Sequence, residues 1–465
     1  MKKIALIVVA AVIVLPPLFL LILSSTPSVE LDPGLKVLGP ATPVKVHTVD
    51  SHGVRQLAAF LEQNGARIPL YEVKHPAHRM FFFLHEKPTD ITVTADPKHA
   101  GEMKDGKGVL VVEATSNDFR GSAASVRREL DVITKPPTVT ADGEQHYVNQ
   151  GGAELVLLSV DGYATESGVK VGKYTFRSFL LPGGGAQQRV APFAFPWDLS
   201  PEETAVVYAA NPAGRDATAD FILHVKPKKF RRRDIEVTGA FLKHVVNDVD
   251  PGGSGDLLER FLKMNRDLRK SNAQTLYDLR LQTADRFLWT EPFMHQPAKP
   301  ESLFADVRTY IYNGKKVDEQ VHLGYDLAST KQTPIHASNN GTVIYAQRLG
   351  IYGNCIVVDH GLGLQSIYGH LSRIDVKPGE AVKKNQNLGL SGATGLAGGD
   401  HLHFSMQVDG VQVDPKEWWD PHWLRDRIFS KLTSKLKPEE ASSAPNKSAE
   451  PGKRPAARRR PRKRA

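Results

Sequence analysis

His322-Leu-Gly-Tyr-Asp326 begins the stretch around which the chain is organised; Tyr368-Gly-His370-Leu371 stands in its middle and His401-Leu-His403-Phe404 closes it. Four histidines and one carboxylate occupy three short, strand-like motifs punctuated by glycine. Imidazole nitrogen and carboxylate oxygen are ligands of a catalytic zinc, which takes three protein ligands and keeps a fourth position for water. Spacing adds to residue type. Along a flat strand, positions i and i+4 stand roughly 13 Å apart, too far for two ligands that each lie about 2 Å from one metal. If His322 and Asp326 share an ion, the backbone between them must bend, and Gly324 is where it can. His401 and His403 are alternate residues, which a strand turns to one face. One can bind the metal while the other handles protons.

These motifs resemble those of a known family, the lysostaphin/LytM-type zinc metallopeptidases that cut peptidoglycan peptides. The resemblance spans roughly residues 318–418. Tyr352-Gly-Asn354, Asp359-His360-Gly361, Val376-x-Pro-Gly379 and Gly392-x-Thr-Gly395 fall in the family's order between the histidine motifs. It implies an antiparallel β domain with a groove and one Zn2+ held by His322, Asp326 and His403. It also implies His370 and His401 as catalytic histidines, while His360 takes a structural role. Asn385 stands where a glycine is usual, and Asp400 where a proline often precedes the His-x-His; neither removes a ligand.

The rest of the 465 residues reads as a mainly β, multidomain chain built to place this unit. Residues 1–25 form a signal anchor: Ile4 to Leu23 is uncharged and apolar behind Lys2-Lys3, long enough to cross a bilayer as a helix. With the lysines inside, the remainder lies outside the cytoplasm; Ser24-Ser25 leaves a cleaved signal peptide as the alternative. Residues 35–135 and 136–230 are two β domains, with Pro136-Pro137 between them. Asn64-Gly65 marks a hairpin, and Phe81–Leu84 is one of several expected strands. Their short strands and turn signals indicate immunoglobulin-like sandwiches. Lys228 to Arg233 is a basic surface turn. Residues 234–290 form a helical connector, capped by Asp256 with Glu259. Ser271-Asn272 is expected to break it before a second run reaching Leu288. The peptidase domain covers residues 295–430. Its Cys355, the sole cysteine of the chain, reads as a small buried hydrophobe.

Residues 436–465 form a disordered basic tail. Gly452 to Ala465 holds eight Lys/Arg and no acid, and supplies nearly all of the formal net charge of +9. Export makes nucleic acid an unexpected partner; anionic envelope polymers or lipids suit the tail better. Together these features predict a single-pass protein of the cytoplasmic membrane with its bulk on the periplasmic side. There it would act as a zinc-dependent endopeptidase on the stems or cross-links of peptidoglycan. The alternative is a non-enzymatic envelope scaffold that binds peptidoglycan and recruits or activates other wall hydrolases. A protease of ordinary proteins is a third, weaker reading.

Overall fold

The computed structural model describes residues 2–77, 85–95, 98–328 and 330–435. The strand expected at Phe81–Leu84 and the tail over 436–465 lie outside the described residues. Lys2–Leu23 is a helix; its side chains before Ile13 are also outside them. Among the described residues no helix is long and apolar enough to cross a membrane.

Most of the chain is β. In the first region, Val54–Gln63 and Ala66–Lys74 pair as a hairpin. Asn64 (φ 52°) and Gly65 (φ 78°) form its two-residue turn, where both positions require positive φ. The hairpin belongs to a five-stranded sheet, with a three-stranded sheet formed by Ser28–Leu31, Val44–Val49 and Thr89–Val93. Between Val139 and Lys226 lie two four-stranded antiparallel sheets and one parallel pair. The immunoglobulin class of these sheets remains an expectation. One apolar cluster runs from Leu155, Val169 and Phe193 of this region into Tyr325, Tyr368, Leu402 and Trp418. The second β region and the eight-stranded sheet that carries Tyr325, Tyr368 and Leu402 therefore share a core.

The basic segment expected as a turn is instead partly a strand. Arg232–Glu236 pairs in parallel with Asp306–Tyr312, because Arg231 grips Asp306 and Arg232 pairs with Glu319 on that sheet. Helices follow at Gly239–Val249, Leu257–Lys263 and Arg269–Asp278. Asp256 caps the second, accepting from the Glu259 N–H at 3.0 Å. No break occurs at Ser271-Asn272. Asn272 is buried inside the third helix, and its side-chain oxygen accepts from the Ile351 N–H at 2.9 Å. Helix ends early instead, with a short turn at Leu279–Leu281. Beyond it, Ala284 N–H donates to Asp359 and Leu288 N–H to the His360 carbonyl. The backbone is thus tied to Asp359 and His360 rather than to itself.

The largest sheet, of eight strands among the described residues, is antiparallel. Its order runs Lys299–Ser302, Tyr325–Ala328, Leu402–Val408, Leu364–Leu371, Asn354–Asp359, Gly341–Arg348, Ala381–Val382, with Val411–Val413 added beside Leu402–Val408. Leu364–Leu371 and Leu402–Val408 are buried at every position. They are central strands covered on both faces, which gives the site a rigid floor.

Candidate metal centre and cleft

His322 ends the strand Lys315–His322, which belongs to the three-stranded sheet with Arg232–Glu236; Asp326 sits on Tyr325–Ala328 of the eight-stranded sheet. The chain changes sheets at Leu323-Gly324, and that step brings the two residues together. Gly324 is needed for close approach. A Cβ there would lie 2.4 Å from Ser405 Oγ and 2.7 Å from His403 Cε1. Asp326 is directly opposite His403 in the register, and His403 is opposite Gly369, the neighbour of His370. Directly opposed side chains meet across a sheet.

The donor atoms converge. His322 Nε2 lies 2.9 Å from Asp326 Oδ1 and 3.0 Å from His403 Nδ1, and His403 Nδ1 lies 3.1 Å from the same Oδ1. Ligands held about 2.0–2.1 Å from a tetrahedral zinc are spaced by about 3.3 Å, so the triangle is close to the size a zinc ion requires. The opposite ring nitrogens set the tautomers. His322 Nδ1–H donates to the Leu303 carbonyl (3.1 Å) and His403 Nε2–H to Ser405 Oγ (2.9 Å). Lone pairs therefore face one another across the triangle, an arrangement that calls for a cation at its centre. His322, Asp326 and His403 are the group that could hold a metal ion among the described residues.

Burial and neighbouring charge keep these groups in ligand form. Burial holds His322 down to about 4 and lowers His403. Burial opposes ionisation of Asp326, yet His322, His401 and His403 hold its carboxyl well below the usual range. Arg308, which the sequence reading missed, donates to Asp326 Oδ2 at 2.5 Å. One oxygen is thus occupied and the other left for the triangle. No motif marks Arg308.

His370 and His401 flank the triangle, their ring centroids 4.8 Å apart. His370 Nδ1–H donates to the Thr394 carbonyl and His401 Nδ1–H to that of Gly399, each at 2.8 Å, which leaves both Nε2 atoms for the site. His401 Nε2 lies 3.4 Å from Asp326 Oδ1. His370 has φ 64°, a left-handed conformation that costs a non-glycine residue about 1–2 kcal/mol. Burial, with His401 and His403 nearby, keeps His370 neutral well below its ordinary range. For His401 burial is outweighed by the hydrogen bond and charge of Asp326, which raise it. All five residues line one cleft of about 590 Å³. His360 lies elsewhere, fully buried between the Asn340 carbonyl and Ser366 Oγ. Asn385 has φ 69°; asparagine tolerates the left-handed backbone that glycine adopts freely. Burial pushes the Cys355 thiol up and leaves it inert.

Two histidines and a carboxylate converging in a cleft, with two further imidazoles alongside, are the donor set of metal-assisted hydrolysis. Residues 320–415 match the model of peptidase family M23, and this part of the chain is an M23 peptidase domain. It is similar to the "Peptidoglycan DD-endopeptidase ShyA" of Vibrio cholerae, 40% identical over 93 residues, 20% of this chain and 22% of the relative. It is likewise similar to the "DD-carboxypeptidase/endopeptidase Mpg" of Neisseria meningitidis, 34% identical over 96 residues, 21% and 22% of the two chains. The match thus spans about a fifth of the length of these curated relatives. Among solved structures, a putative peptidase M23 from Pseudomonas aeruginosa aligns with a TM-score of 0.33 and 22% identity, over 58% of this chain and 94% of that one.

Proposed function

We propose that this protein is a zinc-dependent endopeptidase that hydrolyses stem or cross-link peptides of peptidoglycan. The observation that carries the reading is the convergence of His322 Nε2, Asp326 Oδ1 and His403 Nδ1 inside an M23 domain. The endopeptidase relatives support the substrate class. When bound, zinc supplies a Lewis acid for the scissile carbonyl and lowers the pKa of water to about 7. His322, Asp326 and His403 hold the ion, and Arg308 keeps Asp326 to a single donor oxygen. His370 and His401, anchored at Nδ1, use Nε2 to take a proton from the attacking water and return one to the leaving amine. Digestion of purified wall tests this. Mass spectrometry should find new peptide termini with zinc-loaded protein, none after chelation, and recovery on adding zinc back. Intact wall throughout, with tight binding to it, would favour the scaffold instead.

The division into domains at 35–135, 136–230, 234–290 and 295–430 belongs to the same proposal, as does a membrane anchor over residues 1–25. Ile13 and Ile22 on the first helix are 64% and 72% exposed, and apolar side chains left in water favour a lipid setting. The protein should resist alkaline extraction from membranes, and a reporter after Ala465 should be active outside the cytoplasm. A soluble chain starting near Ser25 would sink the anchor. The tail is proposed to bind anionic envelope polymers or lipids, which its deletion would weaken most at low salt.

A further inference from the structure

The cleft beside the metal triangle is walled by segments outside the M23 match. Strand Arg232–Glu236 contributes Arg233, the helix Arg269–Asp278 contributes Arg269, and the edge strand Lys299–Ser302 contributes Lys299. Nearby arginines that do not line the cleft are paired with carboxylates: Arg231 with Asp306, Arg232 with Glu319, and Arg266 with Asp318. Arg308 lines the cleft and is committed to Asp326, whereas Arg233, Arg269 and Lys299 are held by neutral oxygens or by nothing charged. Arg233 donates to the Glu301 carbonyl at 2.7 Å, and Arg269 to the backbone and side-chain oxygens of Asn265 at 3.2 and 2.8 Å. Lys299 makes no ion pair among the described residues.

Opposing negative charge is scarce. The carboxylates lining the cleft are Asp326, committed to Arg308 and the triangle, and Glu301. Arg269 lines the same cleft as Tyr352, whose ring lies 5.3 Å from that of His403. The positive wall therefore reaches the reaction site. Concave, unneutralised positive surface of this kind concentrates anions, and guanidinium groups pair with carboxylates by charge-assisted hydrogen bonds.

We infer that Arg233, Arg269 and Lys299 form a carboxylate-binding wall, and that the cleft selects peptides carrying a free carboxylate near the bond to be cut. This deepens the hydrolase reading and rests on it. It also places substrate selection outside residues 320–415, in the strand and helix that precede them.

The test compares a cross-linked stem-peptide dimer bearing free carboxylates with its carboxamide counterpart, using the full zinc-loaded chain. The native protein should favour the carboxylate form roughly tenfold in kcat/KM, as expected for one or two charge-assisted contacts, and the difference should lie in KM. The R233Q/R269Q/K299Q protein, checked for unchanged zinc content, should lose that preference. Equal turnover of both dimers by the native protein, or an intact preference in the triple variant, would overturn the inference. Calorimetry on zinc-loaded His401→Ala protein supplies a second arm that needs no turnover: the carboxylate dimer should bind tighter than the carboxamide. If the native protein cut neither dimer the hydrolase reading would fall, while this binding difference would still decide the wall.

Discussion

Arg308 repels a dication through its charge, yet it also fixes the rotamer of Asp326 and occupies the oxygen not turned to the triangle. Loss of an outer partner of a metal ligand typically costs 10–100-fold in affinity, which makes positioning the larger effect. Arg308→Gln should weaken zinc binding about tenfold or more in a chelator competition; unchanged affinity would remove it from the site. His360 makes a separate prediction, about stability. Burial holds its pKa at about 4 against an ordinary 6.5, so between those values the unfolded chain binds more protons than the folded one. Its contribution is complete above pH 6.5 and is lost as pH falls towards 4, by roughly 3 kcal/mol at most. Denaturation midpoints of the zinc-loaded protein should drop across that window, and His360→Gln should flatten the drop. An unchanged slope in the variant would show that another group causes it. His322, Asp326, His370, His401 and His403 were legible in the sequence because ligand-type residues recur at short, glycine-marked spacing. Arg308 was not, since the ion pair joins it to a partner on a different sheet and leaves no local pattern.

Elements were legible where local chemistry fixes them. Asn64-Gly65 sets its hairpin turn and Asp256 its cap, both through contacts within a few residues. The helix over Ser271-Asn272 was misread because long-range bonding decided it: Asn272 lies in the interior and is satisfied by Ile351. Gly324 was found, though for a partly different reason. It admits the strand Tyr325–Ala328 against Leu402–Val408, where a methyl group would collide with Ser405 and His403. Gly324→Ala should therefore push the two strands apart and lose zinc, while far-UV circular dichroism stays near that of the native chain. Full zinc occupancy in that variant would contradict the close packing described here.

At the scale of the molecule, the sequence reads as separate β units, whereas the fold joins the second of them to the eight-stranded sheet that carries Asp326 and His403. Alternating patterns identify strands but carry nothing about which sheets share a core. The joint is polar as well as apolar. Glu417 accepts from Asn149 Nδ2 and the Ala153 N–H, Arg177 grips Asp409, and buried Lys431 reaches His146 and Glu154 at 2.8 Å each. Removing one side of a buried pair leaves an uncompensated charge and costs about 3–5 kcal/mol. A fragment of residues 295–435 should thus melt at least roughly 10 °C below one of residues 136–435, or aggregate. Equal melting temperatures would show that the shared core adds nothing.

His322, Asp326 and His403 are proposed to hold a zinc ion on which His370 and His401 act without being ligands. Zinc content measured beside wall turnover, in His403→Ala and His401→Ala proteins, tests it most directly. His403→Ala should lose most of its zinc together with its activity. His401→Ala should keep its zinc while the rate falls roughly 10²–10⁴-fold, as for loss of a general acid or base. Equal zinc loss in both variants, or full activity in His403→Ala, would contradict the account.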